Sequence, residues 1–377
     1  FTLRCAAGEA ERIHGETVPM DSSPGSENRR GFFIRVPLGV IAAITPFNFP
    51  LNLVVHKLAP AIAAGNSIVL KPASATPLTA LRLGRLLLEA GLPPNALNIV
   101  VGSGSTVGAA LTRDSRIRMV TFTGSAPVGE TIRRDSGLKR ITLELGSNSG
   151  AIVDETADID TAIERCLVGA FAFSGQVCNH TQRLYLHRTI AADFSARFVS
   201  RARQLVIGDP ARPETEIGPL ISRAALSSVL SMIDEAKAGG ASIACGGIPE
   251  GTILPPTVIV DVRPEMKVVC EETFGPTVTI ETFTEFDEAV GRFNEGSRMG
   301  VWDYGLCAGV FTRDVSRALR AAEELEVGCV YVNDSATFRV DSQPYGGVKD
   351  SGSGREGPRF AIEEMTDVRM VSFHLDH

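Results

Sequence analysis

The chain has 377 residues, a formal net charge of −7 and 44% hydrophobic residues, and this length favours two lobes over a single core. An acidic balance gives no basis for binding nucleic acid or an anionic membrane surface. The longest apolar runs, such as 38–44, are too short to span a bilayer, and the first residues lack a signal-peptide pattern. We therefore expect a cytoplasmic protein that acts on a small molecule, with no nucleic acid or membrane partner.

The cysteines do not form a recognisable framework. There are seven of them, they are scattered, and no two stand in a CxxC pair. An odd, unpatterned set predicts neither a disulfide scaffold nor a zinc site. We expect no metal, and each cysteine has to be judged by its own surroundings.

The first predicted elements form a hairpin. Glu16–Pro19 and Phe32–Val36 are extended stretches on either side of the polar, turn-rich segment Met20–Gly31. Further on, apolar runs predict the buried strands of a parallel sheet, at 38–44, 67–70, 96–101, 119–122 and 141–145.

A helix is predicted between the second and third of these strands. Thr76 is its expected N-cap, Pro77 lies in the first turn and Gly91 stops it. Its core-facing side chains are expected to be Leu78, Leu81, Leu86 and Leu87. Repeated strand–helix–strand units of this kind give a doubly wound α/β sheet.

Ligands bind such sheets at the carboxyl ends of the strands. Those ends carry the sequences TPFNFP, KPAS, GSGSTVG, FTGS and ELGS. A second block of alternating elements runs from 149 to about 333. It contains a helix at Asp160–Phe173, with Ile163, Leu167 and Phe171 on one face, and a strand at Arg183–His187. Cys178 lies between these two elements, in a glycine-containing loop.

Seven motifs occur together along the chain: PFNFP (46–50), LKPAS (70–74), FTGS (122–125), LELGS (143–147), SGQVC (174–178), EETFGP (271–276) and PYGGVKDSGSGREG (344–357). Together and in this order they resemble the aldehyde dehydrogenase superfamily, in the branch of lactaldehyde and semialdehyde dehydrogenases. The resemblance implies oxidation of an aldehyde to a carboxylic acid with NAD or NADP. It also implies a Rossmann-type cofactor domain, an α/β catalytic domain and a small β oligomerisation element.

The same resemblance sets the expected domain boundaries. We expect a remnant of an N-terminal helix at 1–16, because the family's usual N-terminal segment is absent here, and an oligomerisation hairpin at 17–36. The NAD(P)-binding domain follows at 37–146, the catalytic domain at 147–345 and a return to the cofactor domain at 346–365. An edge strand at 366–377, alternating Met370, Ser372 and His374 with Val371, Phe373 and Leu375, is expected to pair with the hairpin. A homodimer or homotetramer would cover its edge.

Three residues are predicted to carry the chemistry. A thiolate makes the aldehyde carbon tetrahedral, and Cys178 matches the family's nucleophile. Asn48, with the backbone N–H of Cys178, is the expected oxyanion donor; a surface-turn asparagine is the alternative. Glu144, inside the apolar ITLELG, is the expected base that activates water to release the acid from a thioester. An exposed strand-end glutamate is the alternative.

The cofactor residues follow from the resemblance and from strand ends. Gly102, Gly104 and Gly108 follow a strand, where backbone N–H groups can face phosphate, and Ser125 is expected at the pyrophosphate. Lys71 is expected at the adenosine ribose, and Glu272 and Phe274 at the nicotinamide half. The predicted set is completed by Thr45, Pro46, Phe47, Ala73, Ser74, Phe122, Gly124, Val128, Leu145 and Gly146.

Ser74 departs from the pattern of NAD-selective relatives. They often carry a glutamate at this position, whose charge repels a 2′-phosphate. With serine there that repulsion is lost, and we expect NADP to be accepted.

The substrate is expected to be a small polar aldehyde. His56, Val177 and Arg339 are the candidate contacts. Val177 replaces the arginine that relatives acting on phosphate-bearing aldehydes place before the nucleophile. A structural role is the alternative for the other two: Arg339 paired to Asp334 or Asp341, and His56 capping a helix. The link before Tyr304, NEGSRMGVWD, is longer than the family's usual one.

Two further functions stay open from the sequence. One is an aldehyde dehydrogenase that transfers the acyl group to coenzyme A, although relatives of that kind lack the glutamate found here as Glu144. The other is a non-catalytic remnant that keeps the fold but lacks a complete cofactor pocket. The intact Asn48, Glu144 and Cys178 argue against the remnant.

Overall fold

Alternating strands and helices make up most of the computed structural model, which describes residues 1–375. The strands, in chain order, are β1 (Glu16–Val18), β2 (Arg29–Pro37), β3 (Val40–Ile44), β4 (Ser67–Lys71), β5 (Leu97–Ile99), β6 (Ile117–Thr123), β7 (Arg140–Glu144), β8 (Gly150–Val153), β9 (Arg183–His187), β10 (Ser242–Cys245), β11 (Thr257–Val260), β12 (Thr277–Phe283), β13 (Cys307–Phe311), β14 (Cys329–Val332), β15 (Gly352–Ser353) and β16 (Thr366–His374). The helices are α1 (Thr2–Ala10), α2 (Asn52–Ala63), α3 (Pro77–Glu89), α4 (Ala109–Arg113), α5 (Ala126–Asp135), α6 (Ile159–Phe171), α7 (Arg188–Ala202), α8 (Arg223–Ala238), α9 (Lys267–Cys270), α10 (Phe286–Arg298), α11 (Val315–Glu324) and α12 (Pro358–Glu364).

The chain divides into two units. Unit 1 comprises 1–144, 340–345 and 353 to the C-terminus, and unit 2 comprises 145–339 and 346–352. The expected boundaries differ from this division. The first crossing falls after Glu144 rather than after Gly146. The stretch 340–345 already belongs to unit 1, and the return expected at 346 begins only at Ser353.

Unit 1 is built on a parallel sheet. The five strands that lie wholly within it are ordered β7-β6-β3-β4-β5, and each adjacent pair is parallel. Its buried core includes Ile41, Leu58, Ile68, Leu70 and Met119. The α/β fold class and the five strands predicted from apolar runs are confirmed, because strands covered on both faces read as continuous hydrophobic sequence.

A small antiparallel sheet also belongs to unit 1. β1 pairs with β2, and β2 pairs with β16 from Thr366 opposite Pro37 to His374 opposite Arg29. The predicted hairpin and its C-terminal partner strand are therefore confirmed as strands. Asp376 and His377, the end of the predicted segment, lie outside the described residues. The oligomerisation role of this sheet stays a prediction.

Unit 2 is built on a seven-stranded sheet, ordered β10-β11-β12-β9-β8-β13-β14. β10 is antiparallel to β11, and the other neighbours are parallel. The predicted helix before Cys178 is α6, and its start is fixed by Asp158, whose carboxylate accepts the N–H of Thr161 at 3.0 Å. Ile163, Leu167 and Phe171 are buried on it, as predicted.

Of the four leucines predicted to face the core from α3, only Leu87 does so. Leu78, Leu81 and Leu86 are exposed, and the side that packs inward carries Ala80, Leu83, Gly84 and Leu87. In this i, i+3, i+4, i+7 stripe Gly84 packs against Ile99, and a Cβ at Gly84 would lie 2.5 Å from the end of the Ile99 side chain. Leucines on both sides of the helix hid this stripe in the sequence.

No helix within residues 1–375 is long and apolar enough to cross a membrane.

A buried ion pair stabilises unit 1. The ammonium of Lys57, on α2, donates to Glu356 Oε1 and to Thr121 Oγ1 on β6, each at 3.1 Å. Lys57 and Glu356 are both almost fully buried. The pair links α2 and the central strand β6 to the returning segment that begins at Ser353. Removing one partner leaves the other charge buried alone.

Glu356→Gln is therefore expected to cost about 3–5 kcal/mol of unfolding free energy, measured by urea denaturation. The exposed pair Arg85–Glu89 provides the control, since Glu89→Gln should cost less than about 1 kcal/mol. Similar losses for the two variants would contradict the stabilising role of the buried pair.

Candidate active site

The carboxyl edge of the unit 1 sheet brings together most of the predicted cofactor residues and two of the three catalytic candidates. Asn48 follows β3, Lys71 ends β4 and Glu144 ends β7. Neighbouring turns are tied by hydrogen bonds: Ser74 Oγ donates to the Gly102 carbonyl at 2.9 Å, and the N–H of Gly124 donates to the Glu144 carbonyl at 3.0 Å. The topology of the parallel sheet accounts for this grouping.

Asn48 is buried rather than exposed on a turn. Only 2% of it is accessible to solvent, in the short connection between β3 and α2. This burial excludes the surface-turn alternative. A buried amide is held by its surroundings and can be aimed, which is what an oxyanion donor requires.

Glu144 is also buried. It is 3% exposed, at the last position of β7. The alternative of an exposed strand-end glutamate is therefore wrong. A carboxylate in such a place needs a partner or a function, because burying an isolated charge is costly.

Two polar groups at this edge fit a nicotinamide dinucleotide. Thr45 Oγ1 is buried and, among the described residues, has no hydrogen-bond partner. The Lys71 ammonium is buried and donates to the Pro72 carbonyl at 3.2 Å, which uses one of its three N–H donors. Burial lowers the pKa of Lys71. Both groups therefore have hydrogen-bonding capacity to offer a polar ligand.

The glycine loop after β5 borders open space. A Cβ added at Gly104 or Gly108 would meet no atom within 4 Å. The segment Gly104–Gly108 is a wide turn of π-helix that leads into α4, and Ser103 Oγ accepts the N–H of Thr106 at 3.1 Å before it. Ser103, Gly104 and Thr106 are exposed and leave room for a phosphate group, whereas Gly108 is buried.

The remaining cofactor candidates of unit 1 lie in the same turns. Ser125 stands at the N-terminal end of α5, and Gly124 packs on the Phe122 ring, since a Cβ there would lie 2.4 Å from it. Pro46 and Phe47 follow β3, Ala73 follows β4, and Val128 is exposed on α5.

Cys178 in unit 2 follows a strained turn. Phe173, Ser174 and Gly175 are consecutive left-handed residues, with φ of 53°, 56° and 69°. For the two that are not glycine this costs roughly 1–2 kcal/mol each. Gly175 has no alternative, because a Cβ would lie 2.0 Å from the Gly275 carbonyl oxygen. The SGQVC and EETFGP motifs therefore touch at these two glycines.

Hydrogen bonds to the segment Gly218–Ile221 hold this turn. Ser174 Oγ donates to the Gly218 carbonyl at 2.9 Å and accepts the Gly218 N–H at 3.1 Å. Gln176 Oε1 accepts the N–H of Ile221 at 2.8 Å. Strain that the surroundings enforce in this way is typical of functional loops.

Ser147 joins Cys178 to Glu272. Its hydroxyl donates to the Cys178 carbonyl, and its N–H donates to Glu272 Oε1 at 3.0 Å. Gly146 packs on the same carboxylate, since a Cβ there would lie 2.4 Å from Glu272 Oε2. The structure thus brings Gly146, Cys178 and Glu272 together. The predicted residue Leu145 directly precedes Gly146 in the chain.

The Glu272 carboxylate has an altered acidity. Burial raises its pKa from 4.5 to about 7, against the smaller opposing effect of the Ser147 N–H. The backbone beside it is fixed by Gln182, which donates to the Glu271 carbonyl at 2.7 Å and accepts the Thr273 N–H at 3.0 Å. Phe274 is half-buried and left-handed, with φ of 49°.

His180, two residues after Cys178, is bonded to the backbone. The ring is buried, its Nε2 lies 2.9 Å from the Ala170 carbonyl oxygen, and burial lowers its pKa to about 4. A neutral ring bonded to backbone carbonyl oxygen has no free nitrogen lone pair on that side. Burial raises the thiol pKa of Cys166, Cys245 and Cys270. Cys178 is half-buried.

The substrate candidates are placed differently from one another. His56 is buried on α2 with Nε2 3.3 Å from Asp341 Oδ1, so the structure supports the structural alternative for this residue, although as a carboxylate partner rather than a helix cap. Asp341 also accepts from Thr2, and Asp334 lies 3.8 Å from Arg165. Arg339, after β14, and Val177, beside Cys178, are half-buried.

Sequence reasoning did not single out Ser147, Gln182 or Ser351. Ser147 lies in the motif LELGS and Ser351 in PYGGVKDSGSGREG, so the motifs could have indicated both residues. Their partners are far away in the chain, however: Ser351 Oγ donates to the Gly146 carbonyl across 205 positions. Gln182 sits just before a strand and carries no motif.

The comparisons with known proteins agree on one family. A model described as "Aldehyde dehydrogenase family" matches residues 1–371. The chain is 47% identical over 374 residues to 3-sulfolactaldehyde dehydrogenase of Priestia aryabhattai, covering 99% of this chain and 77% of that protein. It is 44% identical to aspartate-semialdehyde dehydrogenase 1 of Pseudomonas canavaninivorans, with coverage of 99% and 78%.

Solved structures give the same result. Aldehyde dehydrogenase 21 of Physcomitrella patens, in complex with the product succinate, superposes with a TM-score of 0.95 at 41% identity, covering 99% of this chain and 76% of that one. Glyceraldehyde-3-phosphate dehydrogenase of Methanocaldococcus jannaschii, complexed with NADP, gives 0.93 at 36% identity, with coverage of 99% and 80%.

The raised pKa of Glu272 predicts a pH-dependent stability. The unfolded chain loses this proton near pH 4.5 and the folded chain near pH 7. Between these values the folded state holds a proton that the unfolded state lacks, so stability falls as pH rises and is constant above about pH 7. Glu272→Gln does not titrate. Relative to the wild type, it should gain about 2–3 kcal/mol of unfolding free energy between pH 4.5 and 7.

Urea denaturation of both proteins across this pH range measures the difference. Glu265, an exposed glutamate paired with Arg263, is the control position. Glu265→Gln should not gain unfolding free energy relative to the wild type as the pH rises. A difference between the wild type and Glu272→Gln that stays constant with pH would show that Glu272 titrates normally.

Proposed function

The chain belongs to the aldehyde dehydrogenase family and is an NAD(P)-dependent aldehyde dehydrogenase, and from this we propose that it oxidises a small polar aldehyde through a thioester on Cys178. Of the seven cysteines, Cys178 alone stands in the strained loop that Ser174, Gln176 and Ser147 hold. The fixed geometry of this loop is the main support for the proposal.

In the proposed reaction, the Cys178 thiolate attacks the aldehyde carbon and forms a thiohemiacetal. Asn48 and the backbone N–H of Cys178 donate to the oxygen as it becomes negative. A bound NAD(P) would supply a hydride acceptor for that carbon, and a thioester would then remain on Cys178. Thr45, Lys71 and the glycine loop 102–108 would hold its adenosine and phosphate half, and Glu272 and Phe274 its nicotinamide half.

The thioester that remains on Cys178 is then hydrolysed. Glu144 takes a proton from water, the resulting hydroxide displaces the thiolate, and the carboxylic acid leaves. Burial of Glu144 supports this role, because a desolvated carboxylate is a better base than one in water. The same residue favours hydrolysis over transfer to coenzyme A.

We propose further that the aldehyde carries a negatively charged group at its far end. The names of three similar proteins refer to a sulfonate, a carboxylate and a phosphate aldehyde, and one solved relative holds succinate. Val177 supplies no charge beside the nucleophile. Arg339, half-buried after β14, is the candidate cation. His56 is engaged with Asp341 and is not assigned to the substrate.

The proposed chemistry is tested with short aldehydes that carry sulfonate, carboxylate, phosphate or no charge, and with NADP and NAD in turn. Cys178→Ser should abolish cofactor reduction, because a hydroxyl is a far weaker nucleophile at neutral pH. Asn48→Ala should lose about a hundredfold in kcat while retaining cofactor binding.

Cys5→Ser is the matched control, since Cys5 is a half-buried cysteine on α1. Wild-type turnover in Cys178→Ser would refute the nucleophile. No reduction by the folded wild type with any of these pairs would refute the proposed activity.

Cofactor selectivity at Ser74 gives a separate prediction. Ser74 Oγ donates to the Gly102 carbonyl beside the glycine loop, and Lys71 lies three residues earlier. Ser74→Glu should raise KM for NADP about tenfold or more and leave KM for NAD within about twofold, because the added charge repels the 2′-phosphate.

Steady-state kinetics with both cofactors measures this selectivity. Ser74→Ala separates loss of the hydroxyl from gain of the charge and should keep NADP activity. Equal changes with NADP and NAD in Ser74→Glu would exclude Ser74 as the selectivity position.

A further inference from the structure

The loop Met299–Asp303, between α10 and β13, has no part in the function proposed above. It contains the only tryptophan of the chain, Trp302, which is half-buried, and the exposed Val301. What it contacts within unit 2 indicates a role.

The first half of the loop is fixed to the residue before Glu272. The N–H of Val301 donates to Glu271 Oε1 at 2.7 Å. Gly300 packs so closely that a Cβ would lie 2.4 Å from the Cys270 carbonyl oxygen and 3.0 Å from Glu271 Oε1. A backbone contact of this kind cannot be relieved by a side-chain rotation, so the loop rests directly on the chain that leads to Glu272.

The second half of the loop is fixed to the segment Val348–Ser351. Asp303 and Asp350 exchange two hydrogen bonds: the N–H of Asp303 donates to Asp350 Oδ2, and the N–H of Asp350 donates to the Asp303 carbonyl, each at 2.9 Å. Gly305 continues this contact, because its N–H donates to Ser351 Oγ at 2.9 Å.

Ser351 completes a ring of contacts around Glu272. Its hydroxyl donates to the Gly146 carbonyl at 2.8 Å, and its own carbonyl accepts the Leu145 N–H at 2.9 Å. Gly146 and Ser147 contact the Glu272 carboxylate. Through Glu271, the loop thus holds the backbone that carries Glu272. Through Ser351, it holds the backbone that binds the Glu272 carboxylate.

Charges strengthen the ring on the loop side. Lys349 Nζ lies 3.0 Å from Asp303 Oδ1 and 2.5 Å from Glu326 Oε2. Arg298, the last residue of α10, pairs with the same Glu326. Tyr304 is buried, and burial raises the pKa of its hydroxyl. The charge of the nearby Glu272 carboxylate raises this pKa further. A network of several pairs is worth more than one exposed pair.

We propose that Glu271 and the loop Met299–Asp303 position Glu272 and thereby set the affinity for the nicotinamide cofactor. This inference rests on the proposed role of Glu272 at the nicotinamide half. Glu271 is a positioning residue, since it acts through the loop and the backbone of Glu272.

Calorimetric titration with NADP of the wild type, Glu271→Ala, Glu271→Gln and Glu272→Ala tests the proposal. Glu271→Ala removes the acceptor of the Val301 N–H, and Kd should rise about tenfold. Glu271→Gln keeps an oxygen acceptor and should bind within about threefold of the wild type. In free Glu271→Ala the emission of Trp302 should shift to longer wavelength as the loop separates.

Glu288→Ala is the matched control. Glu288 also accepts a backbone N–H, that of Thr284 at 3.0 Å, and belongs to the capping box at the other end of α10. Its loss should leave both Kd and the emission of Trp302 unchanged.

The possible failures are distinguishable. Wild-type affinity in Glu271→Ala beside weakened affinity in Glu272→Ala would overturn the positioning inference and leave Glu272 in its role. Wild-type affinity in Glu272→Ala would refute the role of Glu272 itself, and the inference with it. Equal loss in Glu271→Ala and Glu288→Ala would show a general effect on folding and would also overturn it.

Discussion

Two hydrogen bonds from Ser147 hold the functional motifs of unit 2 together. Its N–H fixes the Glu272 carboxylate, and its hydroxyl fixes the carbonyl of Cys178. Ser147 stands three residues after Glu144, just past the point where the chain leaves unit 1. The end of β7 therefore supplies the proposed base, and Ser147, which follows it, holds both the Cys178 loop and Glu272.

Close backbone packing explains why small residues recur in these motifs. Gly175 touches the Gly275 carbonyl, Gly146 touches the Glu272 carboxylate, and Gly300 touches the Cys270 carbonyl. Any Cβ at these positions would push apart segments distant in sequence. The strain at Phe173 and Ser174 is maintained by the same contacts. A loop that cannot relax keeps its thiol in one place, which favours attack on a bound carbonyl.

Much of this arrangement was predictable from sequence. Continuous apolar runs located β3, β4, β6 and β7 to within about two residues of their ends. The motifs PFNFP, LKPAS, FTGS and LELGS placed Asn48, Lys71, Ser125 and Glu144 at the carboxyl edge of one sheet. The orientation of α3 was not predictable from its leucines, because they lie on both sides of the helix and the inward side also carries Ala80 and Gly84. Pairings such as His56 with Asp341 join residues far apart in the chain, and no local sequence pattern predicts them.

The central claim is a covalent acyl intermediate on Cys178, and the intact mass of Glu144→Gln tests it most directly. This variant is mixed briefly with NADP and an anionic aldehyde, then quenched in acid. Because water activation is lost, the thioester should accumulate. We predict a mass increase equal to one acyl group, located on the Cys178 peptide and absent from Glu144→Gln/Cys178→Ser. Stoichiometric cofactor reduction without any mass increase on Cys178 would contradict it.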